Sequence, residues 1–111
     1  MANTFKNASV ANVANGSYST LYTTPSATTT VVLGLSLANK TTNAVTVQCQ
    51  MTDSSDSNAT RQLLENVSIP ANTTLEVFAG QKYILETGDI LKVKAGTGSA
   101  LDAVLGVMQI T

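Results

Sequence analysis

Histidine is absent from the chain, and so is tryptophan. Without histidine the usual neutral-pH general base, proton shuttle and imidazole metal ligand are all missing. Neither a Ser-His-Asp nor a Cys-His nucleophilic set can be assembled. The lone cysteine, Cys49, excludes an internal disulfide and leaves a zinc site without its ligands. It stands among apolar residues, where a thiol behaves as a small core side chain. Charge is scarce too: 12% of residues are charged and the net charge is −1, against about 25% charged residues in an ordinary domain. The basic residues Lys6, Lys40, Arg61, Lys82, Lys92 and Lys94 are scattered, and aromatics make up 5%. That is neither the basic stripe nor the stacking platform of a nucleic-acid binder. No apolar run is long enough to span a bilayer, the longest being Val31–Leu37. The opening MANTFKNASVAN has no signal-peptide core, so the sequence reads as a soluble chain made in a cytoplasm, with no membrane partner. The glycines are dispersed, so no loop cradles a phosphate and no cofactor is expected.

What is present is alternation with period two. In TTVVLGLSLAN, Val31, Leu33, Leu35 and Leu37 fall on one face; in AVTVQCQMT, Val45, Val47, Cys49 and Met51 do. The polar NKTTN between them marks a turn, and Thr29–Thr52 reads as a β-hairpin. Farther on, TLEVF places Leu75 and Val77 together, and ILKVKA turns Leu91 and Val93 inward with Lys92 and Lys94 outward. The final ALDAVLGVMQIT alternates through Leu101, Ala103, Leu105 and Val107. Met108 and Ile110 then take the opposite parity, so a bulge or bend is expected at Gly106, or else a strand covered on both faces. Weaker strands are expected at Phe5–Val13 and Tyr18–Thr23, flanking the Asn15-Gly16 turn signal. TRQLLENVSI is ambiguous between helix and strand and is read as strand in this context. Two proline turns, at Pro25 and Pro70, have a faint likeness to each other. The 111 residues are read as one all-β domain over 1–111, an antiparallel sandwich of jelly-roll-like form. It has about eight or nine short strands and little or no helix. Residues 1–13 form an N-terminal arm or an edge strand.

Two segments invite a chemical reading. In ILETGDIL the acids Glu86 and Asp89 stand around Thr87-Gly88. Glycine supplies the positive φ of a tight turn and aspartate bonds nearby backbone, so the turn reading uses every polar residue there. A catalytic reading needs a base or metal partner that the chain lacks. A Gly-Asp turn of this kind is similar to that of cupin jelly rolls, but those hold a metal with histidines. Asp53–Asn58, DSSDSN, carries oxygen ligands without the spacing, glycine and closing glutamate of a calcium loop, and reads as a solvated loop tip. A glycosidase would need paired acids across a cleft, usually with aromatics for the sugar, and these are few. A carbohydrate-binding or adhesin-like sandwich would need an aromatic platform built from Tyr18, Tyr22, Tyr83, Phe5 and Phe78.

The N-terminal MANTFKNA, the central VLGLSLANKT, and IPANTTLEVFAGQKYILETGDILKVKA followed by LDAVLGVMQIT resemble small virion structural proteins of tailed bacteriophages, those of cyanophages and other marine phages among them. The likeness runs over nearly the whole chain. It implies a non-enzymatic β protein of the assembled virion, put together in the host bacterial cytoplasm. Such a protein is a capsid decoration (cement) protein, or a tail, neck or fibre-base accessory. The implied partners are further copies of the chain, in a symmetric homo-oligomer with a trimer favoured, and the major capsid or tail proteins. No catalytic residue comes with the resemblance. The residues expected to carry assembly are Phe5 and Lys6 near the N-terminus, Lys92 and Lys94 on the outward face of ILKVKA, and Met108 and Ile110 in the final run.

Overall fold

A computed structural model describes residues 2–78 and 81–111. Met1 of the expected N-terminal arm, and Ala79 and Gly80, lie outside the described residues. Nine strands follow one another: β1 (Asn3–Val10), β2 (Ser19–Thr23), β3 (Thr29–Asn39), β4 (Val45–Asp53), β5 (Ala59–Ile69), β6 (Thr74–Glu76), β7 (Tyr83–Leu85), β8 (Ile90–Ala95) and β9 (Leu101–Ile110). One 3-10 turn, Ser54–Asp56, sits at the tip between β4 and β5. The ambiguous TRQLLENVSI lies within β5, so it is strand. Among the described residues no helix is long and apolar enough to cross a membrane.

The pairing is nested. β4 pairs with β5, β3 with β6 and β7, β2 with β8, and β1 with β9, all antiparallel. The chain is therefore one long ribbon bent at the β4–β5 hairpin. The ribbon is then rolled, so that β9 also pairs with β3 and β8 with β4. Two sheets result: a front sheet ordered β1-β9-β3-β6 with β7 also on β3, and a back sheet ordered β2-β8-β4-β5. This is the jelly-roll wiring, and the fold is an antiparallel β-sandwich. Val32, Leu35, Leu37, Leu101, Leu105 and Val107 of the front sheet are buried together with Val47, Cys49, Leu91 and Val93 of the back sheet in one core. Each fully buried side chain of this size contributes about 1.5–3 kcal/mol.

Three expectations need correcting. Thr29–Thr52 is not a hairpin: β3 belongs to the front sheet and β4 to the back, so NKTTN crosses between layers. Asn39 builds that corner. Its buried amide donates to the carbonyls of Asn43, Ile69 and Pro70 at 2.9, 3.0 and 3.2 Å, and its Oδ1 accepts from the Thr41 N–H and hydroxyl. Second, Val31 and Leu33 do not point inward. The β3–β9 register slips between Val32 and Gly34 opposite Val107 and Gly106, so Leu33 is an extra residue. The inward set changes from Thr30 and Val32 to Leu35 and Leu37 at this bulge. Third, no bulge or break falls in β9 at Gly106. Its inward positions run on unbroken from Leu101 to Val107 and then to buried Gln109, which donates to the Tyr22 hydroxyl at 2.7 Å. A polar residue in an inward slot had imitated a change of parity.

The two proline turns do the same work. Each leads from the back sheet to the front, β2 to β3 and β5 to β6. Each places a left-handed residue two positions after the proline, Ala27 at φ 52° and Asn72 at φ 55°.

The Asn39 corner predicts that a nearly isosteric change is severe. Asn39→Asp replaces an amide donor with a carboxylate facing three carbonyls. Chemical denaturation should show a loss of about 2–4 kcal/mol.

Candidate functional site

The Glu86–Asp89 segment is a β-turn closed by the Asp89 N–H on the Glu86 carbonyl at 2.9 Å, with Gly88 at φ +87°. It does not reverse a strand within one sheet; it carries the chain from β7 in the front to β8 in the back. Glu86 is exposed and Asp89 is buried. The Asp89 carboxylate accepts from the Glu86 N–H at 2.9 Å, the Ser54 N–H at 3.0 Å and the Ser54 hydroxyl at 3.2 Å. It thereby ties this turn to the tip of the β4–β5 hairpin. Thr87 adds a second tie, its hydroxyl donating to the Thr28 carbonyl and accepting from the Thr28 N–H. The turn is a structural clamp made from the residues that first invited a chemical reading.

The other acids are engaged one by one. Asp53 accepts from the Ser55 hydroxyl and N–H, which hold it below the usual carboxylate range. Asp56 pairs with Arg61 at 2.7 Å. Glu65 accepts from Gln48, and Glu76 from Ser36. Asp102 accepts from the Asn12 N–H at 2.9 Å and lies 3.0 Å from the Lys40 ammonium. These two partners, the N–H first, hold its carboxyl below the ordinary range. Among the described residues no three His, Cys, Asp or Glu side chains gather as they would around a metal ion. Burial pushes the Cys49 thiol up to about 12, so it stays protonated at neutral pH.

The aromatics do not form a platform. The Tyr22 hydroxyl lies 2.8 Å from that of Thr30, and Tyr83 packs on buried Phe78 with ring centroids 4.6 Å apart. Tyr18 lies under the Lys94 ammonium, 5.1 Å from the ring centroid, and its hydroxyl accepts from Gln62 at 2.8 Å. Phe5 is exposed.

The expected assembly residues are divided between opposite sides of the molecule. Lys92 and Lys94 lie on the outward face of the back sheet, among Gln48, Gln50 and Gln62. Lys6 pairs with inward-facing Val107, so it points to the core side of β1, at an edge where it is exposed. Phe5, Met108 and Ile110 share the outward face of the front sheet. Cross-strand partners share a face, so the ladders Phe5–Met108, Met108–Val31 and Val31–Ile84 form one apolar row across β1, β9, β3 and β7. The exposed large apolar residues are Phe5 (72%), Ile84 (56%), Val104 (51%) and Leu33 (41%), and all four lie on this face. Val31, Leu33, Ile84 and Val104 were missed as candidates. Their signal was present in VVLGL, YIL and LDAVLGVM, where apolar residues occupy both parities of a strand.

The sequence matches no protein-family model and no curated protein.

The buried hydroxyls of Thr24 and Thr52 bond to no other group among the described residues. Thr24→Val and Thr52→Val should therefore hold or raise stability, by up to about 1 kcal/mol in urea unfolding. Asp102 has a folded-state pKa below its unfolded one, so its contribution is present above the unfolded value and is lost as pH falls through the folded one. Both partners are open to solvent, which limits the effect to under about 1 kcal/mol. The unfolding midpoint should stay level from neutrality to about pH 5 and drop below about pH 4, with part of that slope gone in Asp102→Asn.

Proposed function

We propose that this chain is a non-enzymatic structural protein of a tailed-phage virion, acting as a capsid decoration protein that ties shell subunits together. The observation that carries the reading is the uncovered apolar face of the front sheet. The largest contiguous apolar patch on a soluble monomer spans a few hundred Å² and is often a contact surface. The resemblance of MANTFKNA, VLGLSLANKT and LDAVLGVMQIT to small virion proteins supplies the setting. The jelly roll is compatible with it but does not choose it, because one fold hosts many functions.

The physical task suits the chain. A cement protein works through area: each copy binds the assembled shell and not its free subunits, so it stabilises assembly by mass action. Repetition by symmetry turns a weak contact into a strong one. Few charges mean little repulsion between neighbouring copies. Acids held in local hydrogen bonds and ion pairs leave the apolar face as the most distinctive surface.

Counting the chain in purified particles tests the proposal. On the order of hundreds of copies is expected, together with lower heat resistance of particles stripped of the protein and recovery when it is added back. About three to twelve copies would move it to the tail or neck. Its absence from particles would overturn the virion reading.

A further inference from the structure

We propose that the outward face of the front sheet is a seam for a second copy of this chain, packed face to face about a two-fold axis. The inference rests on the reading of the chain as one that works by contact. Its test uses isolated protein, and so stands apart from the particle counts.

The first argument is charge. No outward position is charged between Asn3 and Ser9 on β1, between Val104 and Ile110 on β9, or between Thr29 and Ser36 on β3. At the far end of the face, Asp102 is paired with Lys40 and Glu76 is bonded to Ser36. Exposed Lys82 and Glu86 lie two residues either side of outward Ile84 at β7, so the charge-free part of the face is β1, β9 and β3, and there a charged partner would find nothing to pair with. A second copy would meet apolar surface with apolar surface and no like-charge repulsion.

The second argument is a pair of glycines. Gly34 and Gly106 are cross-strand partners in the interiors of β3 and β9. Neither has positive φ, and a Cβ built on either meets nothing within 4 Å. Gly34 follows the β3 bulge, a recognised place for glycine, but Gly106 lies on the strand that runs straight, where glycine weakens pairing and nothing within the chain crowds a side chain. Close approach of another molecule is a recognised reason for glycine in a strand interior. The pair leaves a bare hollow between Val104 on one side and Met108 and Val31 on the other, with Leu33 standing beside it. Ridge and hollow lie on the same surface, which is what an isologous contact needs.

The third argument is area. Three strands about 4.8 Å apart, crossed over about eight residues at ~3.3 Å each, with the three-residue β7 beside them, present roughly 430 Å² a side. Both sides together bury about 860 Å², the size of a weak, transient contact. The edges are poorer candidates. β1 carries inward-pointing Lys6, β2 and β5 have register shifts against β8 and β4, and β6 and β7 have three residues each. All are known devices that blunt edge pairing.

Sedimentation equilibrium of the full chain, up to about 500 µM for a weak contact, reads the outcome. The expected result is a mass rising from 11.5 kDa toward twice that value. Val104→Arg should hold the protein monomeric, with its thermal midpoint unchanged at dilution where the wild type is also monomeric, because Val104 lies outside the core. Gly106→Ala should weaken association at least about tenfold while leaving the monomer as stable or more so. A wild-type monomer at every concentration overturns the proposal. So does a trimer mass, or a dimer that survives both substitutions. If the isolated protein stays monomeric but Val104→Arg is lost from particles, the face meets another protein; the seam is then refuted and the virion reading stands.

Discussion

Strand β9 is the member on which the rest of the molecule depends. It pairs with β1 along one edge and with β3 along the other. Its inward residues Leu101, Ala103, Leu105 and Val107 are almost completely buried. A strand turns successive side chains to opposite faces, so a slip of one residue would empty the core and fill the surface. The neighbour absorbs the one irregularity: β3 admits Leu33 as an extra residue, and β9 runs straight through. The outward residues of the same strand then define the exposed apolar face. One register sets both the stability of the sandwich and the surface it shows.

Much of this was legible in the sequence. Alternation at Val45, Val47 and Cys49, or at Leu91 and Val93, gave strands whose inward residues are buried. The all-β sandwich followed from their number and spacing. What alternation lacks is any statement of which sheet a strand joins. A five-residue polar link can turn a strand back beside itself or carry it across to the other layer, and NKTTN reads the same either way. The corner became visible only through Asn39, whose amide reaches the carbonyls of Ile69 and Pro70 far along the chain. The β3 bulge was hidden for a related reason. Val31, Val32 and Leu33 are all apolar, so a change of parity among them leaves no mark in the pattern.

Part of the exposed apolar face was legible in the sequence. Phe5, Met108 and Ile110 share one face, whereas Lys92 and Lys94 lie on the opposite sheet and Lys6 guards an edge. Charges attract notice in a sequence so short of them, yet here they serve local tasks. Lys94 covers Tyr18, Lys40 pairs with Asp102, and Asp89 clamps two loops. The exposed apolar face is made of residues that in sequence look like ordinary interior. A strand apolar on both parities is either sandwiched within its own molecule or waiting for another, and only the three-dimensional arrangement separates the two.

The nested wiring also has a bearing on how the protein is made. Thr111 bonds to Ala2 across 109 residues, and β1 has no partner besides β9 among the described strands. On the ribosome the β4–β5 hairpin can close early, but β1 waits for β9, the strand farthest from it in the nested order. Until then β1 and β3 lack their common neighbour, and the newborn chain shows unpaired backbone on both sides of the gap. Pairing between such distant segments is slow, and that interval is when a nascent chain is most open to meeting the wrong strand. Lys6, set in the middle of β1, keeps a charge on that waiting edge from the start.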